Sequence, residues 1–177
     1  NELASTTKSL REGVWAIAHE FGHVNQIRPG LKWVSTTEVT NNVYSVCARY
    51  KFYRENMPLE HERCNDGNDN NVRGGRFNSY LNYGIIKGEQ WLCQKGQDNM
   101  DPSKYPYGGD HFVKLCPLWQ LLLYYREIVG GEKRDWYGDV AEIVRNTDES
   151  QLTNGQLQLN FMRNTMDVVK EDLTDFF

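Results

Sequence analysis

Two histidines, His19 and His23, lie four residues apart in a segment with the periodicity of a helix. Apolar residues recur at helical spacing through residues 11–26, and the first proline after them is Pro29. Because residues four apart share one face of a helix, both imidazoles project in the same direction. Glu20 follows the first histidine, so the segment has the pattern H-E-x-x-H, in which two histidines bind zinc and the glutamate is the general base.

A zinc site with two histidines needs a third protein ligand, and Glu38 is the first carboxylate after them. It lies in a second predicted helix, residues 35–50, which follows the chain break at Pro29 and Gly30. An alternative assigns Glu38 to a capping box, in which its carboxylate accepts a hydrogen bond from the backbone N–H of Ser35. The need of the two histidines for a third partner favours the ligand role.

Two amide side chains, those of Asn42 and Gln26, are predicted to lie on the same helix faces as the candidate ligands. Asn42 lies one turn after Glu38, where its oxygen can accept the second N–H of a zinc-bound imidazole and fix the tautomer of that ring. Gln26 lies one turn after His23, where it can touch a metal ligand or the substrate. Each also has a simpler interpretation as a solvated surface residue.

Several segments together resemble one known family, the enhancin-like gluzincin peptidases. They are HEFGHVNQ at residues 19–26, Trp33, TEVTNNVYS at residues 37–45, LCPLWQLLLYY at residues 115–125 and DLTDFF at residues 172–177. The resemblance covers nearly the whole chain, and the middle rich in Asn, Asp and Gly is the least similar part. The joint occurrence of these segments makes the resemblance specific.

The resemblance implies a zinc-dependent endopeptidase in which His19, His23 and Glu38 bind Zn2+ and Glu20 is the general base. It also implies O-glycosylated, mucin-like glycoproteins as substrates and a secreted or cell-surface location. Thermolysin-like gluzincins have Asp where this chain has Asn42, so the contact that orients a histidine would pass through an amide. The alternative function is a non-catalytic glycoprotein- or carbohydrate-binding module, or an inert half-domain that retains the zinc site.

We therefore expect a mainly α fold, a single unit of residues 1–177 that forms the helical, C-terminal part of a gluzincin, zincin-like catalytic domain. Its parts are the active-site helix 11–26, the Glu-ligand helix 35–50 and a helical remainder at residues 77–177. Family domains carry a β-containing subdomain before the active-site helix. We expect the chain, which starts at Asn1 almost at that helix, to be a piece that lacks this subdomain.

Gluzincins also need a donor for the oxyanion of the tetrahedral intermediate, commonly a tyrosine or histidine of the helical part. Tyr105, Tyr107 and His111 are the candidates, because they lie in a turn-rich segment before the helix that resembles the family. Each has a purely structural role as its alternative.

Charge and hydropathy argue against nucleic acid as a partner and against a transmembrane helix. The net charge is −4, and no stripe rich in Lys and Arg is present, which argues against nucleic acid. No apolar run approaches the roughly 20 residues that a transmembrane helix needs. The four cysteines, Cys47, Cys64, Cys93 and Cys116, form no C-x-x-C pair; Cys47 and Cys116 lie in apolar stripes, which favours buried free thiols over disulfides. The oligomeric state is not predicted.

Overall fold

The structure, a computed structural model, describes residues 2–34, 36–60, 64–65, 71–72, 75–88 and 111–177. Its α-helices are α1 (Glu2–Asn25), α2 (Thr37–Thr40), α3 (Asn42–Tyr53), α4 (Met57–Glu60), α5 (Gly75–Ser79), α6 (His111–Leu123), α7 (Trp136–Arg145) and α8 (Asn154–Val169). π-Helical turns extend α5 over Tyr80–Ile85 and α6 over Tyr124–Val129, and a 3-10 helix, Gly131–Asp135, precedes α7. A short antiparallel ladder pairs β1 (Cys64–Asn65) with β2 (Asn71–Val72). The expectation of a mainly helical fold is confirmed.

The first helix is longer than the predicted segment 11–26. It begins at Glu2, because its first turns contain no proline even though they lack the apolar periodicity that marks the later turns. It ends at Asn25, one residue earlier than predicted, where the side-chain amide donates to the carbonyl oxygen of Phe21 at 2.8 Å. Gln26 therefore lies in the connecting turn and not in the helix.

The predicted helix 35–50 is two helices in the structure, with a turn at Asn41 between α2 and α3. The N-cap of α2 is Thr36, whose side chain makes no capping hydrogen bond. Glu38 is thus the second residue of its helix and not the third, which is the position that a capping box needs; the other member of the predicted box, Ser35, lies outside the described residues. The end of α3 lies at Tyr53, where Arg54 adopts a left-handed conformation with φ 56°.

Sequence signals locate the last helices well. Gly130 follows the extended α6 with a φ of 67°, a conformation that costs glycine little. The hydroxyl of Thr153 accepts a hydrogen bond from the backbone N–H of Gln156, and Oε1 of Gln156 accepts one from the backbone N–H of Thr153 at 2.9 Å. The T-x-x-Q pattern at the start of α8 thus forms a capping box.

The apolar core lies among α3, α6, α7 and α8, and α1 packs on α3. Two tryptophans, Trp119 and Trp136, are its largest fully buried side chains. Trp119 meets the ring of Tyr50 on α3 with centroids 5.2 Å apart, and Trp136 meets Phe161 on α8 at 6.4 Å. Burial of one large apolar side chain contributes about 1.5–3 kcal/mol, so the first contact stabilises α3 against α6 and the second stabilises α7 against α8. α3 in turn provides the surface on which α1 rests.

Cys116 is a buried free thiol and Cys47 a partly buried one, so the free-thiol interpretation is confirmed for both. Burial raises the pKa of the Cys47 thiol to about 11, although the nearby Arg126 guanidinium opposes part of this effect. Cys64 lies in β1, and Cys93 is outside the described residues. In the described part of the chain, no helix has both the length and the apolarity that a membrane span requires.

Candidate metal site

Three side chains from two helices meet beside the contact of α1 with α2. The Nε2 atoms of His19 and of His23 each lie 3.4 Å from the same carboxylate oxygen, Oε2 of Glu38. The three donor atoms all lie within 4.8 Å of one another. The two imidazole rings meet edge to face, with centroids 4.7 Å apart. His19 and His23, which lie together on α1, thus gain Glu38 of α2 as their third partner.

These distances fit a shared metal ion. Four ligands arranged as a tetrahedron around zinc, with bonds of about 2.0–2.1 Å, lie about 3.4 Å from each other. A direct N–H···O hydrogen bond would be shorter, at about 2.7–3.2 Å. Two imidazole nitrogens and one carboxylate oxygen are also a donor set that zinc accepts in hydrolytic enzymes. The residues therefore suit a divalent metal of this kind.

The site is open to solvent on one side. The exposed fractions of the His19, His23 and Glu38 side chains are 25%, 27% and 36%. Glu20, the next residue along α1, is exposed. Structural zinc sites are closed by four protein ligands, whereas catalytic sites keep a position for water or substrate. Three protein donors at the surface fit the second arrangement.

Asn42 holds one of the imidazoles in a defined orientation. Its Nδ2 donates to the backbone carbonyl oxygen of Glu38 at 2.8 Å, and its Oδ1 lies 3.0 Å from Nδ1 of His19. Because the amide nitrogen faces a carbonyl, the amide oxygen must face the ring, and Nδ1 must carry the proton. The lone pair of His19 is then on Nε2, the atom that faces Glu38.

The sequence profile of the family described as Peptidase M60, enhancin and enhancin-like, matches residues 1–177. The chain belongs to the enhancin-like M60 peptidases. This confirms the resemblance drawn from the sequence, and it places the triad in a family of metallopeptidases. A search among curated proteins found no significant match.

Asn41 of this M60 chain is a site residue that sequence reasoning missed. It is fully buried, and its Nδ2 lies 3.1 Å from Nδ1 of His19 and 3.2 Å from Nε2 of His23. An amide nitrogen only donates, so either contact is a hydrogen bond only where the ring nitrogen carries no proton. Asn41 follows Glu38 by three residues, a spacing that places both side chains on one face of a helix. Two consecutive asparagines, both weak helix formers, were the available signal of a break.

Gln26 differs from both of its predicted roles. It is 5% exposed, so it is not a solvated residue. Its Nε2 lies 3.0 Å from the carbonyl oxygen of Thr37 and 2.5 Å from Oγ1 of Thr40, and it does not point to an imidazole. The structure therefore directs this amide to α2, the helix that carries Glu38.

Of the three candidate donors for the oxyanion, the structure of this M60 chain describes His111. Tyr105 and Tyr107 lie outside the described residues. His111 is the first residue of α6 and is half-buried. The next residue, Phe112, packs edge to face against Trp15 of α1 with ring centroids 5.1 Å apart, which brings the start of α6 against the active-site helix. The role of His111 as an oxyanion donor stays a prediction.

Proposed function

We propose that this chain carries the zinc centre of an endopeptidase that cleaves O-glycosylated, mucin-like glycoproteins. The observation that carries the proposal is the 3.4 Å separation of two imidazole Nε2 atoms from one carboxylate oxygen, in a chain of the M60 peptidase family. In this proposal His19, His23 and Glu38 bind Zn2+. The exposure of these three side chains supports a catalytic site over a closed structural one.

A bound zinc ion would polarise the peptide carbonyl as a Lewis acid and lower the pKa of a bound water towards about 7. The Glu20 carboxylate accepts a proton from the attacking water and later gives it to the nitrogen of the leaving amine. Asn42 accepts the Nδ1–H of His19 and so keeps the lone pair of Nε2 available for the metal. Glu20 thus has two tasks in succession, and Asn42 has one.

The substrate class rests on the family. The resemblance to enhancin-like peptidases implies substrates that are heavily O-glycosylated, and such substrates are extracellular or displayed on cell surfaces. We therefore propose a secreted or cell-surface location for the protein. The net charge of −4 supports a protein substrate over a nucleic acid.

The first test is zinc binding by the purified chain, measured by competition with a chromophoric chelator at neutral pH. We expect one zinc per chain. Zinc affinity should fall by at least about 100-fold in His23→Ala and in Glu38→Ala, because losing a ligand costs more than losing an outer-sphere partner. Glu132→Ala removes an exposed carboxylate from the 3-10 helix and is the control. If Glu38→Ala binds zinc as tightly as the wild type, the proposed ligand set is wrong.

The second test separates metal binding from hydrolysis. Glu20→Gln should keep zinc but reduce hydrolysis by about 10²–10⁴-fold, since a general base contributes on this scale. The assay uses the longest natural form of the protein that contains these residues, with a mucin-type glycoprotein before and after enzymatic removal of its O-glycans. Retention of most activity in Glu20→Gln would reject the base, and equal cleavage of both substrates would reject the glycoprotein preference.

A further inference from the structure

Glu38 belongs to α2, a helix that is too short to be stable by itself. α2 has four residues, which is a single turn, and the side chain of its N-cap, Thr36, makes no capping hydrogen bond. A single turn has a large entropic cost and is not stable in isolation. The place of the Glu38 carboxylate must therefore be set by contacts between α2 and its neighbours.

The side chain of Gln26 supplies such a contact at the start of α2. Its Nε2 lies 3.3 Å from the carbonyl oxygen of Thr36, 3.0 Å from that of Thr37 and 2.5 Å from Oγ1 of Thr40. The first two residues precede Glu38 directly, and the third lies two residues after it. One amide nitrogen therefore bonds to the turn on both sides of the candidate ligand.

The bonding pattern leaves little freedom for this amide. The Thr40 hydroxyl lies 2.6 Å from the carbonyl oxygen of Leu31, to which it donates, so it accepts its hydrogen bond from Gln26. All three partners of Nε2 are acceptors, which fixes the orientation of the amide. The other amide atom, Oε1, accepts no hydrogen bond from the described residues. Of the two amide atoms of Gln26, Nε2 is therefore the one that bonds to α2.

We infer that Gln26 is a positioning residue for the metal site, which sets the distance of the Glu38 carboxylate from the two imidazoles. Gln26 follows His23 by three residues, so it joins the helix that carries both histidines to the turn that carries the carboxylate. Metal–ligand bonds tolerate only about 0.2 Å of error, so a shift of a one-turn helix is enough to weaken binding. This inference rests on the proposed zinc centre.

The test is a double-mutant cycle between Gln26 and Glu38, with zinc affinity as the readout. Gln26→Met keeps the length of the side chain and removes the donor. In the wild-type background it should weaken zinc binding by about 10–100-fold, the usual effect of an outer-sphere partner. In the Glu38→Ala background it should change zinc affinity less than about threefold, because the residue through which it acts is gone.

Two further variants keep the inference falsifiable. Thr40→Val removes one acceptor of the Gln26 amide and takes the place of Gln26→Met if that variant does not fold. Its loss of zinc affinity should likewise depend on the presence of Glu38. Asn56→Leu removes another buried amide, whose Nδ2 donates to the carbonyl oxygen of Val46 at 3.2 Å. It should lower the stability to urea and leave the zinc affinity unchanged.

Each outcome has a distinct meaning. A loss of affinity that appears only when Glu38 is present supports the positioning role. An equal loss in both backgrounds, or none in either, overturns it while the zinc centre stands. If Glu38→Ala alone leaves zinc affinity unchanged, the zinc centre itself is wrong, and the role of Gln26 falls with it.

Discussion

Gly22, inside the H-E-x-x-H segment, provides the sharpest test of how the two halves of the site are held together. A Cβ placed on Gly22 would lie 2.1 Å from the carbonyl oxygen of Asn41 and 2.7 Å from its carbonyl carbon. Both are backbone atoms, so no side-chain rotation can relieve the overlap. In Gly22→Ala, α1 must therefore move away from the turn between α2 and α3.

The size of this movement follows from van der Waals contact. An ordinary contact needs at least 3.4 Å, and the available distance is 2.1 Å, so the backbones must separate by about 1.3 Å. This exceeds the tolerance of about 0.2 Å for metal–ligand bonds, and zinc affinity should fall by at least about 100-fold. Overpacking costs about 1–3 kcal/mol, offset by up to about 1 kcal/mol of helix propensity, so the net loss of unfolding free energy is about 0–3 kcal/mol.

The assays are a zinc competition titration and urea unfolding of the metal-free protein. The matched control is Gly13→Ala on the same helix, where an added Cβ has no atom within 4 Å. This control should gain up to about 1 kcal/mol of stability and keep its zinc affinity. If Gly22→Ala binds zinc within twofold of the wild type, the contact between Gly22 and Asn41 does not set the geometry of the site.

Three other changes have defined outcomes. Asn42→Leu removes the acceptor for the Nδ1–H of His19 and should lower zinc affinity by about 10–100-fold in the same titration; an unchanged affinity would exclude the orienting role. In a chain with Cys64, Cys93 and Cys116 replaced by serine, native Cys47 should react with iodoacetamide at pH 8 far more slowly than in urea, because burial raises its pKa to about 11. The stability that the neutral thiol contributes is fully present below its unfolded pKa of about 8.5 and is lost as the pH rises towards 11, so a constant urea midpoint over this range would contradict the shift. Thr153→Ala removes the capping box of α8 and should cost about 1 kcal/mol in urea unfolding, whereas Thr147→Ala, at a residue just beyond α7 whose hydroxyl donates to the carbonyl oxygen of Ile143, should cost less.

Local features were predictable because they depend on short stretches of chain. The capping box at Thr153 follows from residues three apart, and the stop at Gly130 follows from the conformational freedom of one glycine. The predicted helix 35–50 was wrong as a single helix. Its apolar period continues smoothly through Asn41, and the interruption lies where the Asn41 carbonyl closely approaches Gly22 of α1, nearly twenty residues earlier in the chain.

In the candidate site, too, some features follow from the sequence and others depend on the tertiary structure. The common direction of His19 and His23 follows from their spacing on one helix, so the sequence by itself determined it. Glu38 was selected as the third ligand because two histidines need one, but its 3.4 Å distance from each imidazole depends on how α2 packs on α1. The roles of Asn41 and Gln26 were decided by tertiary structure alone. A buried amide bonds to whatever acceptor or donor the fold brings near it, and no period in the sequence carries that information.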